Sequence, residues 1–305
     1  MAYQTGTFAS FASLKTTIET FATTNGWTLT SGILHKGSVA AQLSVPDAQA
    51  LQLDFSDAQD GVGNLISPHV RSLFLLDNFG GPTSNDSGLD MQFPVTYHLF
   101  EFGAYNEIIC VINYNTDYIQ QMSFGEIKKY GTWLGGTYGA STASERTTNN
   151  QYFYPFRLFF YAASGKSSAG GMWTTNQSAS NDSTTNPNHI IKCDIDGGEW
   201  LINSVSRAGF AGENRFYPSS LSRPYTGVVN QSNLQPALAA PMILMGRPSD
   251  LVSVVGTVPN VRHVNVAHYN IADIVTIGGV KWMVFPMQIK TFSLDIGFAV
   301  KYEGP

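Results

Sequence analysis

Charge is scarce in this chain. Seventeen Lys and Arg and 22 Asp and Glu make up 13% of 305 residues, for a net charge of −5. An average soluble domain carries roughly a quarter charged residues. The few cations are scattered mostly singly, and no basic stripe exists to displace phosphate counterions, which excludes nucleic acid as a partner. Long apolar runs are missing too. No stretch of some 18 apolar residues occurs, so no membrane-spanning helix is expected. The opening Met1-Ala-Tyr-Gln-Thr-Gly-Thr has neither the basic n-region nor the apolar core of a signal peptide, which predicts folding in a cytoplasm. Cysteine is down to two residues, Cys110 and Cys193, each in an apolar, strand-like setting. Both read as buried, reduced thiols rather than as a disulfide.

Aromatic residues are plentiful at 12%, alongside 29 Gly and 14 Pro. That composition excludes disorder over most of the chain and supplies a large core. One amphipathic helix stands out. Phe8, Phe11, Leu14, Ile18 and Phe21 recur every three or four residues, with Ser10 as N-cap, Phe8 packing from outside as a staple, and Asn25-Gly26 as the stop. The stripe reads as core packing.

Most of the remaining chain alternates as strands do. Residues 27–36 predict a hairpin turning on Ser31-Gly32, and strands come next at Ala41–Val45 and Leu51–Phe55. Residues 57–63 read as a turn and 78–90 as a polar loop. Residues 95–115 form the strongest hairpin. Its second arm, from Glu107, is almost continuously apolar and belongs in the middle of a sheet covered on both faces. Tyr152–Tyr161 reads as an aromatic strand whose Pro155 confines it to an edge or a bulge. Residues 162–188 are a long Ser/Thr/Asn/Gly/Ala connection around Met172-Trp173, either mobile or ordered by a neighbour. Strands return at 189–194 and 199–202, 203–240 is mostly loop, and the last third alternates again, with Gly278-Gly279 as a tight hairpin and Phe292, Leu294, Ile296 and Phe298 on one strand face. The fold class is therefore mainly β, with β-sandwich-like sheets, one N-terminal helix and long loops. Two domains are expected, 1–138 and 139–305, unless both form one intertwined unit.

Reactive constellations are sparse. His263 and His268 are five apart, an odd spacing that puts them on opposite faces of a strand. Neither His-Glu-x-x-His nor metal-spaced cysteines occur, so no metal ligands are assigned. Gly-x-Ser-x-Gly is absent. Asp194, Asp196 and Glu199 could form a glycosidase-like carboxylate pair, but solvated acids beside a turn account for them. Asp57 and Asp60 lack the alternation of a calcium loop. Lys128 and Lys129, between Phe124 and Tyr130, read as a solvated strand edge rather than a base-stacking site. The sequons at Asn85, Asn176, Asn181 and Asn230 mean nothing without secretion. No catalytic residue and no cofactor is assigned, and the chain is not expected to be an enzyme.

Low charge with abundant Gly, Ser, Thr, Asn and Tyr suits a subunit that buries surface against neighbours. Tyr and Arg are favoured at the cores of such contacts, and the candidate interface and binding residues are Trp133, Trp173, Trp200, Arg207, Arg215 and Arg223. Three stretches carry a resemblance. They are Met1–Thr7 with Thr24-Asn-Gly-Trp27; Tyr97–Tyr114 leading into Ser123-Phe-Gly-Glu-Ile-Lys-Lys-Tyr-Gly-Thr-Trp-Leu-Gly-Gly136; and Pro259–Val266 with Ile274–Pro286. In order and spacing they resemble virion structural proteins of tailed bacteriophages, of the tail and baseplate kind. Residues 140–255 carry no resemblance. The likeness implies a homo-oligomeric subunit of a symmetric tail or baseplate, contacting other virion proteins and made in the host cytoplasm. Rival readings are an adhesin or fibre-attachment module that binds a host glycan or protein, with Trp133, Trp173 and Trp200 as stacking platforms, and a decoration protein on the capsid surface. Residues 162–188 are the expected arm that orders on assembly. Hydrogen exchange on the isolated chain should find their amides fast-exchanging, and slow exchange throughout the segment would refute the arm.

Overall fold

A computed structural model describes residues 1–66, 73–79, 89–116, 118–142, 189–193, 200–202, 215–218, 238, 240–247, 251–286 and 296–304. The expected strand at 152–161, the segment 162–188 and the acids Asp194, Asp196 and Glu199 lie outside them. The described residues are mainly β with one α-helix near the N-terminus.

In chain order, the first third holds β1 (Ala2–Phe8), α1 (Phe11–Thr24), β2 (Thr28–Thr30), β3 (Ile33–Lys36), β4 (Val39–Asp47), β5 (Ala50–Ser56), β6 (Ala58–Gln59), β7 (Leu65–Ile66), β8 (Leu73–Leu76), β9 (Asn78–Phe79) and β10 (Leu89–Asp90). The middle holds β11 (Val95–Phe102), β12 (Glu107–Tyr114), β13 (Tyr118–Glu126), β14 (Lys128–Lys129), β15 (Gly135–Ser141), β16 (His189–Cys193), β17 (Trp200–Ile202) and β18 (Arg215–Pro218). The last part holds β19 (Met242–Arg247), β20 (Leu251–Thr257), β21 (Val261–Asn265), β22 (Ile274–Ile277), β23 (Val280–Pro286) and β24 (Ile296–Tyr302).

The helix starts where the sequence places it. Ser10 is extended and its Oγ accepts the Ser13 backbone N–H at 3.2 Å, while Ser13 Oγ accepts the Ser10 N–H at 3.1 Å, a reciprocal cap. Phe11, Leu14, Ile18 and Phe21 are buried on one face. Phe8 closes β1 and packs its ring 6.1 Å from Phe11. Gly26 then takes the left-handed φ of +83° that turns the chain into the first hairpin. That hairpin turns on Ser31 and Gly32, both at positive φ, as a two-residue turn requires.

Three layers result. The middle is an antiparallel seven-stranded sheet in the order β1-β11-β12-β13-β15-β16-β17. On one side lie α1 and the sheet β2-β3-β4-β5-β8; on the other lie the sheets β14-β20-β19-β18 and β21-β24-β23-β22. Period-two alternation assigns the faces. Ile108, Cys110 and Ile112 pack with Leu14, Ile18, Leu51 and Phe55, whereas Ile109 and Val111 pack with Val261, Phe285, Phe298 and Val300. The double coverage expected of β12 is present. The sheets approach closely at Gly139, where any Cβ would run into the Phe55 ring. Residue 138, the expected domain boundary, lies within β15.

Several strands went unread in the sequence, among them β1, β8, β13, β15 and β19, together with β6 inside the expected turn at 57–63 and β18 inside the stretch 203–240 expected to be mostly loop. β1 is rich in Thr and Gly, β8 is only four residues long, and Met242–Arg247 is apolar without alternation. Asn78–Phe79 and Leu89–Asp90, inside the expected loop at 78–90, pair with each other. Cys110 is a free, buried thiol whose pKa burial pushes up. The side chain of Cys193 lies outside the described set.

Polar fasteners bind the helix-side layer to the middle sheet, two of them built on Lys36 and Gln120. Lys36 Nζ lies 2.7 Å from the Glu101 carboxylate and 3.0 Å from the Asn25 carbonyl at the helix end, with the Trp27 ring 6.0 Å away. Gln120, fully buried in β13, accepts the Leu76 N–H at 2.9 Å and donates to the Leu76 carbonyl at 2.6 Å. Its amide thus supplies the edge of β8 with the partner that a further strand would give. Losing Lys36 leaves the Glu101 carboxylate, only 5% exposed, without its cation. Lys36→Met should therefore lower the unfolding free energy by about 2–3 kcal/mol in urea titrations, and adding Glu101→Leu should recover part of the loss.

Candidate functional site

Of the six candidate interface residues, Trp133 is the best defined. It sits in the tip that joins β14 to β15. Three glycines bend this tip, Gly131, Gly135 and Gly136, at φ of +104°, +90° and +107°. Crossed hydrogen bonds then hold it. Trp133 Nε1 donates to the Val255 carbonyl at 3.2 Å, and the Tyr130 N–H donates to the same oxygen at 2.9 Å. Lys129 Nζ donates to the carbonyls of Trp133 and Gly135 at 3.2 and 3.0 Å and lies 5.4 Å from the indole centroid, a cation–π contact. Trp133 is half-buried against the core between the middle sheet and the C-terminal sheets. Around it stand Leu134, 73% exposed, Tyr130, 44%, and Val254, 43%. The tip faces outward on a backbone that is already fixed, its exposed apolar side chains standing beside exposed Lys128, Lys129 and Thr132.

The other candidates do not gather there. Arg215 is on β18, at the opposite edge of the sheet that β14 begins. Trp200 is on β17, the last strand of the middle sheet, which runs beside β18. Trp173, Arg207 and Arg223 lie outside the described residues. The pair Lys128 and Lys129 is exposed on the two-residue edge strand β14, with Lys129 tied down by the carbonyls of the tip.

Behind the tip is a group that no sequence motif marks. Glu107 opens β12 with 0% exposure. Asn260 Nδ2 donates to Oε2 at 2.6 Å, and the Tyr138 hydroxyl donates to Oε1. Glu107 belongs to the middle sheet, as does Tyr138, whereas Asn260 precedes β21 of the C-terminal layer. Gly125 lets β13 lie close, since a Cβ there would come within 2.6 Å of the Glu107 Cα. Burial pushes the Glu107 carboxyl up to about 7, against the pull of the hydrogen bonds from Tyr138 and Asn260 and the charge of Arg262. Arg262 donates to the Pro259 and Val261 carbonyls at 2.9 and 2.7 Å and lies 4.9 Å from the Trp282 ring centroid; burial lowers its pKa, and the nearby Glu107 carboxylate works against that. An acid at the head of a strand that is otherwise apolar except for Asn113 was the available signal.

A carboxyl titrating near neutrality suits proton transfer when it meets a substrate. Glu107 is wholly enclosed, and its chemistry here is to fasten one layer to another. His98 is similar. It is 7% exposed, burial lowers its pKa to about 4, its Nδ1 lies 2.9 Å from the Tyr3 hydroxyl, and its ring is 5.3 Å from Phe285. His263 is buried in β21, while His268 is exposed in the following turn. Asp60 accepts the N–H groups of Val62, Gly63 and Asn64, a local turn. Asp57 lies 3.8 Å from Lys192. Among the described residues no three His, Cys, Asp or Glu side chains converge as metal ligands, and no helix is long and apolar enough to cross a membrane.

Compared with known proteins, the chain matches no protein-family profile and no curated sequence.

The raised pKa of Glu107 fixes the sign of a pH effect. Folding favours its protonated form, so its contribution is whole below the ordinary value of 4.5 and is lost as pH rises through about 7. The shift corresponds to roughly 3 kcal/mol. Urea midpoints of the native chain should fall between pH 5 and pH 8. Glu107→Gln should abolish most of that fall, and an unchanged slope in the variant would remove Glu107 as its source.

Proposed function

We propose that this protein is a structural subunit of a bacteriophage tail or baseplate, working through protein–protein contacts in a symmetric assembly and located in the virion. The observation that carries the reading is the tip at Tyr130, Leu134 and Val254. Apolar side chains stand exposed there on a backbone fixed by Trp133 and Lys129, so docking costs little conformational entropy. Aromatic anchors ringed by smaller contacts are what interface cores use. The three-layer sheet stack behind the tip supports the reading as a stiff base. The resemblance read in the sequence at the two chain ends is what favours a tail or baseplate over another assembly. The glycan-binding alternative is less well supported at Trp133, because Lys129 lies over the ring and Val255 holds the indole N–H.

Mass spectrometry of phage particles purified from a host that expresses the gene tests the assignment. The chain should be present in fixed proportion to other tail components, and its absence from particles would end the proposal. Leu134→Asp, at a site 73% exposed, should change stability by less than about 0.5 kcal/mol yet reduce incorporation about tenfold or more, since it puts a charge into an apolar contact.

A further inference from the structure

Sheet edges invite pairing with other chains, and most proteins blunt them with short strands, Lys, Pro or bulges. Among the described residues, this fold blunts nearly all of its edges. β2 and β17 have three residues each, β22 has four, and β14 is two lysines. β18 ends in Pro218, β8 is plugged by Gln120, and β21 carries the half-buried Arg262. β1 is the exception. It runs seven residues, Ala2–Phe8, in unbroken register from Ala2 opposite Glu101 to Phe8 opposite Val95. It contains neither Pro nor a charged side chain, and the first charged side chain in the sequence is Lys15. Thr5 and Thr7 are exposed. Beyond its ladder to β11, no described backbone group bonds to it.

The strand also matches itself. Placed antiparallel to a copy with Thr5 opposite Thr5, Ala2 meets Phe8, Tyr3 meets Thr7 and Gln4 meets Gly6. Each large side chain lies across from a small one, and no like charges oppose. Residues that face each other share a sheet face, because Ala2 and Phe8 both lie on the helix side and Tyr3 on the other. Such pairing is isologous and closes as a two-fold dimer.

We propose that β1 is a homodimerisation edge, at which a second copy of this chain adds its own β1 antiparallel about Thr5 and joins the two seven-stranded sheets into one. This inference goes beyond the assembly role and stands whether or not the chain belongs to a virion.

Sedimentation velocity on the full chain should show a concentration-dependent dimer. Thr5→Lys sets two like charges opposite each other at the axis and should weaken dimerisation about tenfold, with an unchanged far-ultraviolet circular dichroism spectrum. Leu134→Asp, on the tip, should leave the dimer intact. Register is read directly by cross-linking. Thr5→Cys places two thiols on the axis, within disulfide reach, and should give a covalent dimer on mild oxidation. Thr7→Cys, about 14 Å from its own copy in that register, should not. A native chain that stays monomeric at every concentration overturns the proposal, as it would if the edge took a strand of some other protein. So does cross-linking of Thr7→Cys as fast as that of Thr5→Cys.

Discussion

The strand from Glu107 to Tyr114 has to be covered on both faces, and the rest of the fold answers that need. Six of its eight residues are apolar, and all but Asn113 are buried. A strand of this kind cannot lie at the surface of a two-layer sandwich. The helix and the β2-to-β8 sheet cover Ile108, Cys110 and Ile112. The C-terminal sheets cover Ile109 and Val111. The chain therefore returns to β12 from both of its ends, and residues separated by about 150 positions, such as Glu107 and Asn260, share hydrogen bonds. Long-range closure of this sort makes folding slow relative to a helical protein of the same size.

Among the polar groups buried in this apolar stack, three sets fasten one element to another. Lys36 and Glu101 join a helix end to two sheets, Gln120 completes an edge strand, and Glu107 ties the middle sheet to the turn before β21. An enclosed carboxyl that prefers its proton is a joint that loosens in alkali, whereas Asp60, fully exposed and held by its own turn, keeps its charge down to about pH 2. Titration of the protein should therefore be felt at the seam between layers before it is felt at the surface loops.

Much of this architecture was legible in the sequence where local rules operate. Ser10, Leu14, Ile18 and Gly26 define the helix because capping and periodicity are local. The hairpins at Ser31-Gly32 and Gly278-Gly279 declare themselves because two-residue turns demand positive φ, and the apolar run at β12 announces a central strand. What stayed hidden depends on distant partners. β1 lacks a hydrophobic alternation of its own and exists because β11 offers a ladder. Gln120 gave no sign that its amide would face Leu76, 44 residues away. At the site, Trp133 was named from residue type alone, while Tyr130, Leu134 and Val254 became neighbours only when β14 paired with β20.

The Gln120 amide has one more consequence. Because it grips both the N–H and the carbonyl of Leu76, it acts as a ruler laid across two layers. A slide of β8 along β5 by one residue would exchange the inward and outward sides of Leu73–Leu76 and would also break both amide bonds at once. Because all four of its residues are apolar, hydrophobicity alone does little to reject a misaligned arrangement, and this short strand inherits its alignment from a side chain on another sheet.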